Sequence, residues 1–179
     1  MQNYYELKVA GLTRQLPVCP LSENVYIAGF VMFSDVELTV ACATELLKKV
    51  PDFDVIVTAE SKGIPLAYEM SRQCGKKYIP ARKMQKLYMT NPKCVEVKSI
   101  TTDAVQKLYL SGEDMAYLKG KNVLIVDDVI STGESLRALE KLVEAAEGVI
   151  VGKSAVLAEG DAANRTDLIF LEKLPIITK

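Results

Sequence analysis

Histidine is absent from this chain of 179 residues. That removes Ser-His-Asp and Cys-His catalysis and every histidine metal site. Cysteine is scarce: Cys19, Cys42, Cys74 and Cys94 are irregularly spaced and form no C-x-x-C pair. Reduced thiols are expected rather than a zinc site or a disulfide framework. No apolar run approaches the ~20 residues that span a bilayer. The start, "MQNYYELKVAGLTRQLP", lacks the basic-then-apolar order of a signal peptide. A cytoplasmic protein with no membrane partner is therefore expected. An excess of positive charge is lacking too, with a net charge of −1 and a pI of about 5.7. General nucleic-acid binders are usually basic, so no nucleic-acid partner is expected. Internal repeats and low-complexity segments are also missing.

What remains is a composition suited to one folded domain. Hydrophobic residues make up 49% and charged residues 25%. A chain of this length buries roughly 70% of its unfolded surface, so it needs no staple. Residues 4–34 read as short strands and turns, with "NVYIAGFVMF" (24–33) as one strand. "DVELTVACATELLKKV" (35–50) reads as a helix capped by Asp35 and stopped by Pro51. "DVIVTAE" (54–60) is a buried parallel strand, followed by a helix from Pro65 to about Cys74 that ends at Gly75. "KYIPARK" (77–83) is the next strand. In 84–120, "MQKLYMTNPK" reads as a loop, "CVEVKSITT" as a strand, and "KLYLSGEDMAYLKG" as containing a turn. "NVLIVDD" (122–128) is the clearest buried strand, and a helix runs from Glu134 to about Glu147. "VIVGKSAVLA" (149–158) and "DLIFL" (167–171) are the last strands. Strands alternating with helices predict an α/β fold, a central parallel sheet with helices on both faces.

In such a sheet, ligands sit at the carboxyl ends of the strands. Three predicted strand ends carry unusual chemistry: Glu60-Ser61-Lys62-Gly63, Arg82-Lys83, and Asp127-Asp128. After the last pair, Ser131-Thr132-Gly133 leads into a helix. The first N–H groups of a helix lack partners and, with the helix dipole, form an anion site. Hydroxyls of Ser131, Thr132 and Ser135 add donors, while Glu134 must turn its carboxylate outward and offer only its backbone. Adjacent strand residues point to opposite faces, so one of Asp127 and Asp128 must face the cleft. Carboxylates accept hydrogen bonds and suit sugar hydroxyls or Mg²⁺ with its waters. The stretch therefore reads as a holder for ribose 5-phosphate. The plainer alternative is a capped helix with solvated charges around it.

Two rivals for "LIVDD" fail. A Walker B strand needs G-x-x-x-x-G-K-[ST], which does not occur. A phospho-receiver domain needs roughly a hundred residues after the acidic strand, more than follow Asp128.

At these residues the sequence resembles the type I phosphoribosyltransferases. "VLIVDDVISTGES" (123–135) is similar to their signature for 5-phosphoribosyl pyrophosphate, "AESKGIPLA" (59–67) to their pyrophosphate loop, and "ARKMQK" (81–86) and "LEKLP" (171–175) to segments of the adenine branch. The resemblance implies a five-stranded parallel core and a small hood over the base, built from 1–34 and about 158–179. It also implies a mobile loop over about 84–107. It implies that Asp127 and Asp128 hold the ribose and Mg²⁺, directly or through water, and that Ile130, Ser131, Thr132, Gly133, Glu134 and Ser135 bind the 5-phosphate. Glu60, Ser61, Lys62 and Gly63 would bind pyrophosphate, Arg82 and Lys83 would contact it, and Lys86 and Tyr88 would belong to the mobile loop. Small-molecule substrates (a nucleobase and 5-phosphoribosyl pyrophosphate) and a homodimer are implied as well.

The implied activity is purine salvage, with adenine converted to AMP and pyrophosphate. Xanthine or another base stays open as the acceptor, and so does a non-catalytic regulator that senses phosphoribosyl pyrophosphate. Two departures bear on this. Lys62 stands where the family carries arginine, and "GLTRQLPVCPLSENVYIAGF" (11–30) has no counterpart of the Phe-Arg-Asp stretch that frames the base in the adenine enzymes. Glu159 is a candidate to meet the base from the end of the last long strand. Glu96 reads rather as an exposed edge-strand residue.

Overall fold

A computed structural model describes residues 4–98 and 105–178. In chain order the strands are β1 (Tyr4–Val9), β2 (Leu12–Pro20), β3 (Val25–Ala28), β4 (Val55–Ala59), β5 (Lys77–Ala81), β6 (Lys93–Lys98), β7 (Val105–Leu110), β8 (Asn122–Ile130), β9 (Val149–Glu159), β10 (Ile169–Leu174) and β11 (Ile176–Thr178). The helices are α1 (Val36–Leu47), α2 (Ile64–Cys74), α3 (Gly112–Leu118) and α4 (Glu134–Ala145), with a 3₁₀ turn at Gly160–Asn164. Among the described residues no helix is long and apolar enough to cross a membrane.

Five parallel strands form the central sheet in the order β10-β9-β8-β4-β5. Its strands are apolar on both faces because both are covered. Val55, Val57, Val123 and Ile125 face Leu136, Leu139, Leu142 and Val143 of α4. The alternate residues Ile56, Leu124 and Val126 face Leu38 and Leu46 of α1 and Leu66 and Met70 of α2. The helix ends follow their sequence cues. The Asp35 carboxylate accepts from Leu38 N at 3.1 Å and also holds the Arg14 guanidinium at 2.7 Å. Gly75 ends α2 at φ 71°, a left-handed conformation that suits glycine.

The chain winds in two directions from the middle of this sheet. From β4 it moves outward to β5; from β8 it moves the other way to β9 and β10. The β4–β8 ladder ends at Val57 opposite Ile125, whereas β8 stays paired to β9 as far as Ile130 opposite Ala158. A crevice therefore opens beside β8 at Asp127 and Asp128. This reversal point is where open α/β sheets bind ligands.

Several elements differ from the sequence expectations. The strand expected over 24–33 stops at Ala28, because the partner at that level is Pro17. Gly29 N donates to Pro17 O at 2.8 Å, but proline has no N–H with which to continue the ladder. Of the C-terminal stretch assigned to the hood, only β11 joins the hood sheet, in the order β1-β2-β3-β11. β10 is the edge strand of the central sheet, and Pro175 separates the two. Residues 84–92 form turns, as expected of a loop. The rest of the segment assigned to the mobile loop is largely an antiparallel ladder of β6 and β7, and 99–104 lie outside the described residues. Val97, Leu108 and Leu110 anchor this ladder in the core beside α4. "SGEDMAYL" is not only a turn: Ser111 caps α3 by accepting from Asp114 N, with Glu113 and Asp114 in the first turn. Glu96 is exposed and pairs with Lys107 across the ladder, as expected of an edge position.

Candidate functional site

The strand exits converge as the alternation of elements requires. Beyond β4 the chain turns over the crevice through Glu60-Ser61-Lys62-Gly63, with a cis Glu60–Ser61 peptide. Glu60 fastens this turn to the exit of β5. Its carboxylate accepts from Lys83 N at 3.0 Å and from Arg82 Nε at 3.1 Å, which holds it below the usual carboxylate range. Arg82 also donates from Nη1 to the Tyr88 hydroxyl at 3.1 Å. Backbone bonds between Arg82 and Tyr109, at 2.8 and 2.9 Å, tie the β6–β7 ladder to the same point.

Lys62 reaches back across the crevice, its ammonium 3.1 Å from Asp128 Oδ2. That oxygen is buried and has no hydrogen bond of good geometry, so the contact is an ion pair with acceptor capacity left over. Asp127 caps its own neighbour, accepting from Asp128 N at 2.9 Å. Burial, then the adjacent Asp128 charge, push Asp127 above the usual carboxylate range. Gly63 lies directly against this pair. A Cβ there would sit 2.3 Å from Thr58 Oγ1 and 2.9 Å from Asp127 Oδ1, so only glycine lets the turn pass.

β8 continues two residues past Asp128, and Ile130 is a core residue, 3% exposed. Its side chain cannot touch a ligand at the turn; only its backbone can. Ser131, Thr132 and Gly133 follow, and Gly133 adopts φ 78° immediately before α4. Asp127 and the segment from Val129 to Leu136 line a small concavity of about 50 Å³. The concavity lies at the N-terminus of α4, where the helix dipole favours an anion, and its size suits one phosphate group.

Two larger cavities flank the turn. One, of about 610 Å³, is lined by Ser131 and Thr132, by Arg137, Glu159, Asp161 and Arg165, and by Leu21, Ile27 and Ile176. Burial raises the Glu159 carboxyl, and Lys62 opposes that rise. The other cavity, of about 350 Å³, brings Lys83 and Lys107 to Ser135 at the start of α4. Of the residues expected in the site, Lys86 lies on the loop after β5, where its charge reaches Glu60.

Three residues were not foreseen. Arg137 and Arg165 line the large cavity, and Thr58 carries a buried, unpartnered hydroxyl beside Gly63. Arg137 sits in the first helical turn after the phosphate motif, a position that could have marked it.

The donor set fits Mg²⁺ in one form only. Among the described residues no group of three or more carboxylates or cysteines could cage a metal. Mg²⁺, however, keeps several waters and needs only one or two carboxylates plus substrate oxygens. The unsatisfied Asp128 Oδ2 beside Asp127 meets that requirement.

Comparison with known proteins agrees with this arrangement. Residues 39–170 match the profile of the family described as the phosphoribosyl transferase domain. An adenine phosphoribosyltransferase of Brachyspira hyodysenteriae is 38% identical over 127 residues, which cover 69% of this chain and 68% of that protein. A hypoxanthine/guanine phosphoribosyltransferase of Methanococcus voltae is 37% identical over 124 residues, covering 69% of this chain and 63% of that protein. In fold, the chain is similar to the crystal structure of adenine phosphoribosyltransferase from Thermoanaerobacter pseudethanolicus. The TM-score is 0.73 at 21% identity, covering 88% of this chain and 95% of that one. The parallel sheet, the family profile over most of the chain and the relatives in sequence lead to one conclusion: the chain belongs to the phosphoribosyl transferase domain family.

Proposed function

We propose that this protein is a purine phosphoribosyltransferase that joins adenine to the phosphoribosyl group of 5-phosphoribosyl pyrophosphate, giving AMP and pyrophosphate. The observation that carries this is the Lys62–Asp128 contact of 3.1 Å, which sets a cation from the β4 turn over the carboxylate pair of β8. A sugar bearing pyrophosphate on one carbon and phosphate on another needs that sequence of groups: cation, carboxylates, phosphate turn.

In the reaction the anomeric C–O bond to pyrophosphate breaks, a bond to a ring nitrogen of the base forms, and the proton of that nitrogen leaves to the departing pyrophosphate or to water. Positive charge grows on the ribose while negative charge grows on the leaving group. Lys62, Arg82 and Lys83 stabilise that leaving group, a task of positioning and electrostatics. As pyrophosphate arrives it takes over Lys62, and the Asp128 carboxylate becomes available to the ribose hydroxyls. Asp127 and Asp128 would hold Mg²⁺ through water, and the ion would supply further charge stabilisation to the substrate oxygens. No protein nucleophile is needed, which suits a chain without histidine.

The 5-phosphate belongs at the turn from Ser131 to Ser135. A branched side chain at Gly133 would be strained at φ 78° and would crowd the turn. Gly133→Val should weaken phosphoribosyl pyrophosphate binding at least tenfold, about 1.4 kcal/mol. Equal affinities by calorimetry would contradict the assignment.

The base belongs in the large cavity under the hood, where Glu159 can accept from an exocyclic amine. An oxo-base presents a carbonyl there instead, and a mismatched buried polar pair costs ~1–3 kcal/mol. With adenine, hypoxanthine, guanine and xanthine in competition, adenine should show the highest kcat/KM. A higher value for an oxo-base would move the protein to the alternative that the hypoxanthine/guanine relatives represent.

The loop of residues 84–92, between β5 and the core-anchored ladder of β6 and β7, would close over the substrate and exclude water. Hydrogen exchange over 84–92 should slow when phosphoribosyl pyrophosphate and Mg²⁺ are added; unchanged exchange would rule closure out. A cytoplasmic location and a homodimer belong to the same proposal. Exposed Val36, Val40 and Tyr68 share one groove between α1 and α2 that a second copy would cover. A monomeric mass by light scattering would remove the dimer.

A further inference from the structure

The groups so far given to the 5-phosphate are backbone N–H groups and hydroxyls, none of them charged. A phosphate monoester carries up to two negative charges, and nothing in the turn itself balances them. The compensating charge comes from a different part of the chain. Arg165, just past the 3₁₀ turn, extends its guanidinium to Gly133. Nη1 lies 3.2 Å from where a Cβ on that glycine would stand. The same side chain lines the large cavity together with Ser131, Thr132 and Arg137.

The guanidinium is held in a defined way. Nε donates to Asp167 Oδ1 at 2.9 Å and Nη2 donates to Asp167 Oδ2 at 2.7 Å. This two-pronged grip uses one edge of the planar group and leaves Nη1 facing the turn. Asp167 is fixed in turn by Lys153, which also meets Glu140 of α4 at 2.9 Å. The chain of contacts ties the Arg165 segment to β9 and α4, the two elements that flank the turn. Arg137 lines the same cavity as Arg165, so two guanidinium groups stand beside Ser131 and Thr132.

We propose that Arg165 is a direct ligand of the substrate's 5-phosphate and that Asp167 is its positioning residue. This rests on the phosphoribosyl reading of the site and deepens it. It assigns the recognition of a sugar phosphate monoester to a cation lying thirty residues beyond the end of the phosphate motif at Ser135. The close approach of Nη1 to Gly133 also gives that glycine a second role, since a side chain there would push the guanidinium away.

The test uses the full chain and two probes: ribose 5-phosphate in calorimetric titration, and phosphoribosyl pyrophosphate with Mg²⁺ in steady-state kinetics. Arg165→Ala should weaken ribose 5-phosphate binding at least about tenfold. It should raise the KM for phosphoribosyl pyrophosphate by a similar factor, with kcat within about threefold of the parent. Arg165→Lys keeps the charge but loses the fork to Asp167 and should fall between the two. Asp167→Asn should shift KM in the same direction with little change in melting temperature; a merely structural role would lower kcat and melting temperature together. Should Arg165→Ala fail to fold, the lysine and Asp167→Asn variants carry the test. A parent that does not bind ribose 5-phosphate would overturn the phosphoribosyl reading and this inference with it. A parent that binds, with variants that bind within about twofold of it, would overturn the Arg165 assignment alone.

Discussion

Replacing Asp127 and Asp128 together by asparagine should lower turnover by a factor of about 10² to 10⁴ while the protein stays folded. Hydrogen bonds to an ionised acceptor contribute ~1.5–3 kcal/mol each, and the two oxygens of Asp128 can accept two from the ribose hydroxyls, so their loss amounts to ~3–6 kcal/mol. At about 1.4 kcal/mol per factor of ten, that gives the range stated. The fold should tolerate the change because the carboxylates are not a source of stability. Burial and the Asp128 charge raise the Asp127 pKa, so the folded chain holds that proton more tightly than the unfolded chain does. The associated stability is full below the ordinary aspartate value and is lost as pH rises through the raised one. In the variant this loss disappears. Its melting temperature should therefore gain on the parent as pH increases. The partner left behind, Lys62, is about half exposed, so water can take over its solvation. Turnover unchanged in the double variant would refute the ribose assignment, and a melting temperature that collapses would make the pair structural.

Gly63→Ala should cost both binding and stability, although it adds one methyl group. The added carbon would lie 2.3 Å from Thr58 Oγ1, 2.9 Å from Asp127 Oδ1 and 3.3 Å from Asp127 Cα. All three atoms belong to residues of the central strands β4 and β8, which cannot retreat, so the turn carrying Lys62 must lift away. Overpacking of this kind costs ~1–3 kcal/mol. The displaced ammonium should weaken phosphoribosyl pyrophosphate binding by a further factor of about ten. Thr58→Ala removes the nearest atom, so in the Gly63→Ala background it should recover part of the lost melting temperature. Gly63→Ala with parental affinity would mean that the turn does not depend on this contact.

The parts of the fold that could be read from sequence are those where one local signal decides. "NVLIVDD" is apolar on both faces and is a strand covered on both faces. Asp35 and Gly75 end their helices as caps because their chemistry acts within one turn of the chain. The site's outline was readable for the same reason, since a parallel sheet brings its strand exits to one edge. What could not be read depends on partners far away in sequence. β3 ends early because proline happens to face it across the sheet. Pro175 divides a single apolar stretch between two sheets, which no periodicity reveals. Thr58 reads as one more β-branched strand residue until Gly63 is placed on top of it. Arg165 and Asp167 look like loop charges, and only the fold brings the Arg165 guanidinium, gripped by Asp167, beside Gly133. The burial of the Ile130 side chain was not readable either, because it depends on β8 running two residues past Asp128, and it leaves only the backbone of Ile130 to meet a ligand.

The central claim is that the crevice transfers a phosphoribosyl group rather than only holding one. The most direct measurement is to incubate the full chain with adenine, 5-phosphoribosyl pyrophosphate and Mg²⁺ and to quantify AMP and pyrophosphate in the same sample. Equal amounts of the two should accumulate over many turnovers, and neither should form when the base is left out. Binding of phosphoribosyl pyrophosphate with no nucleotide formed from adenine, hypoxanthine, guanine or xanthine would contradict the claim and leave a sensor of that metabolite in its place.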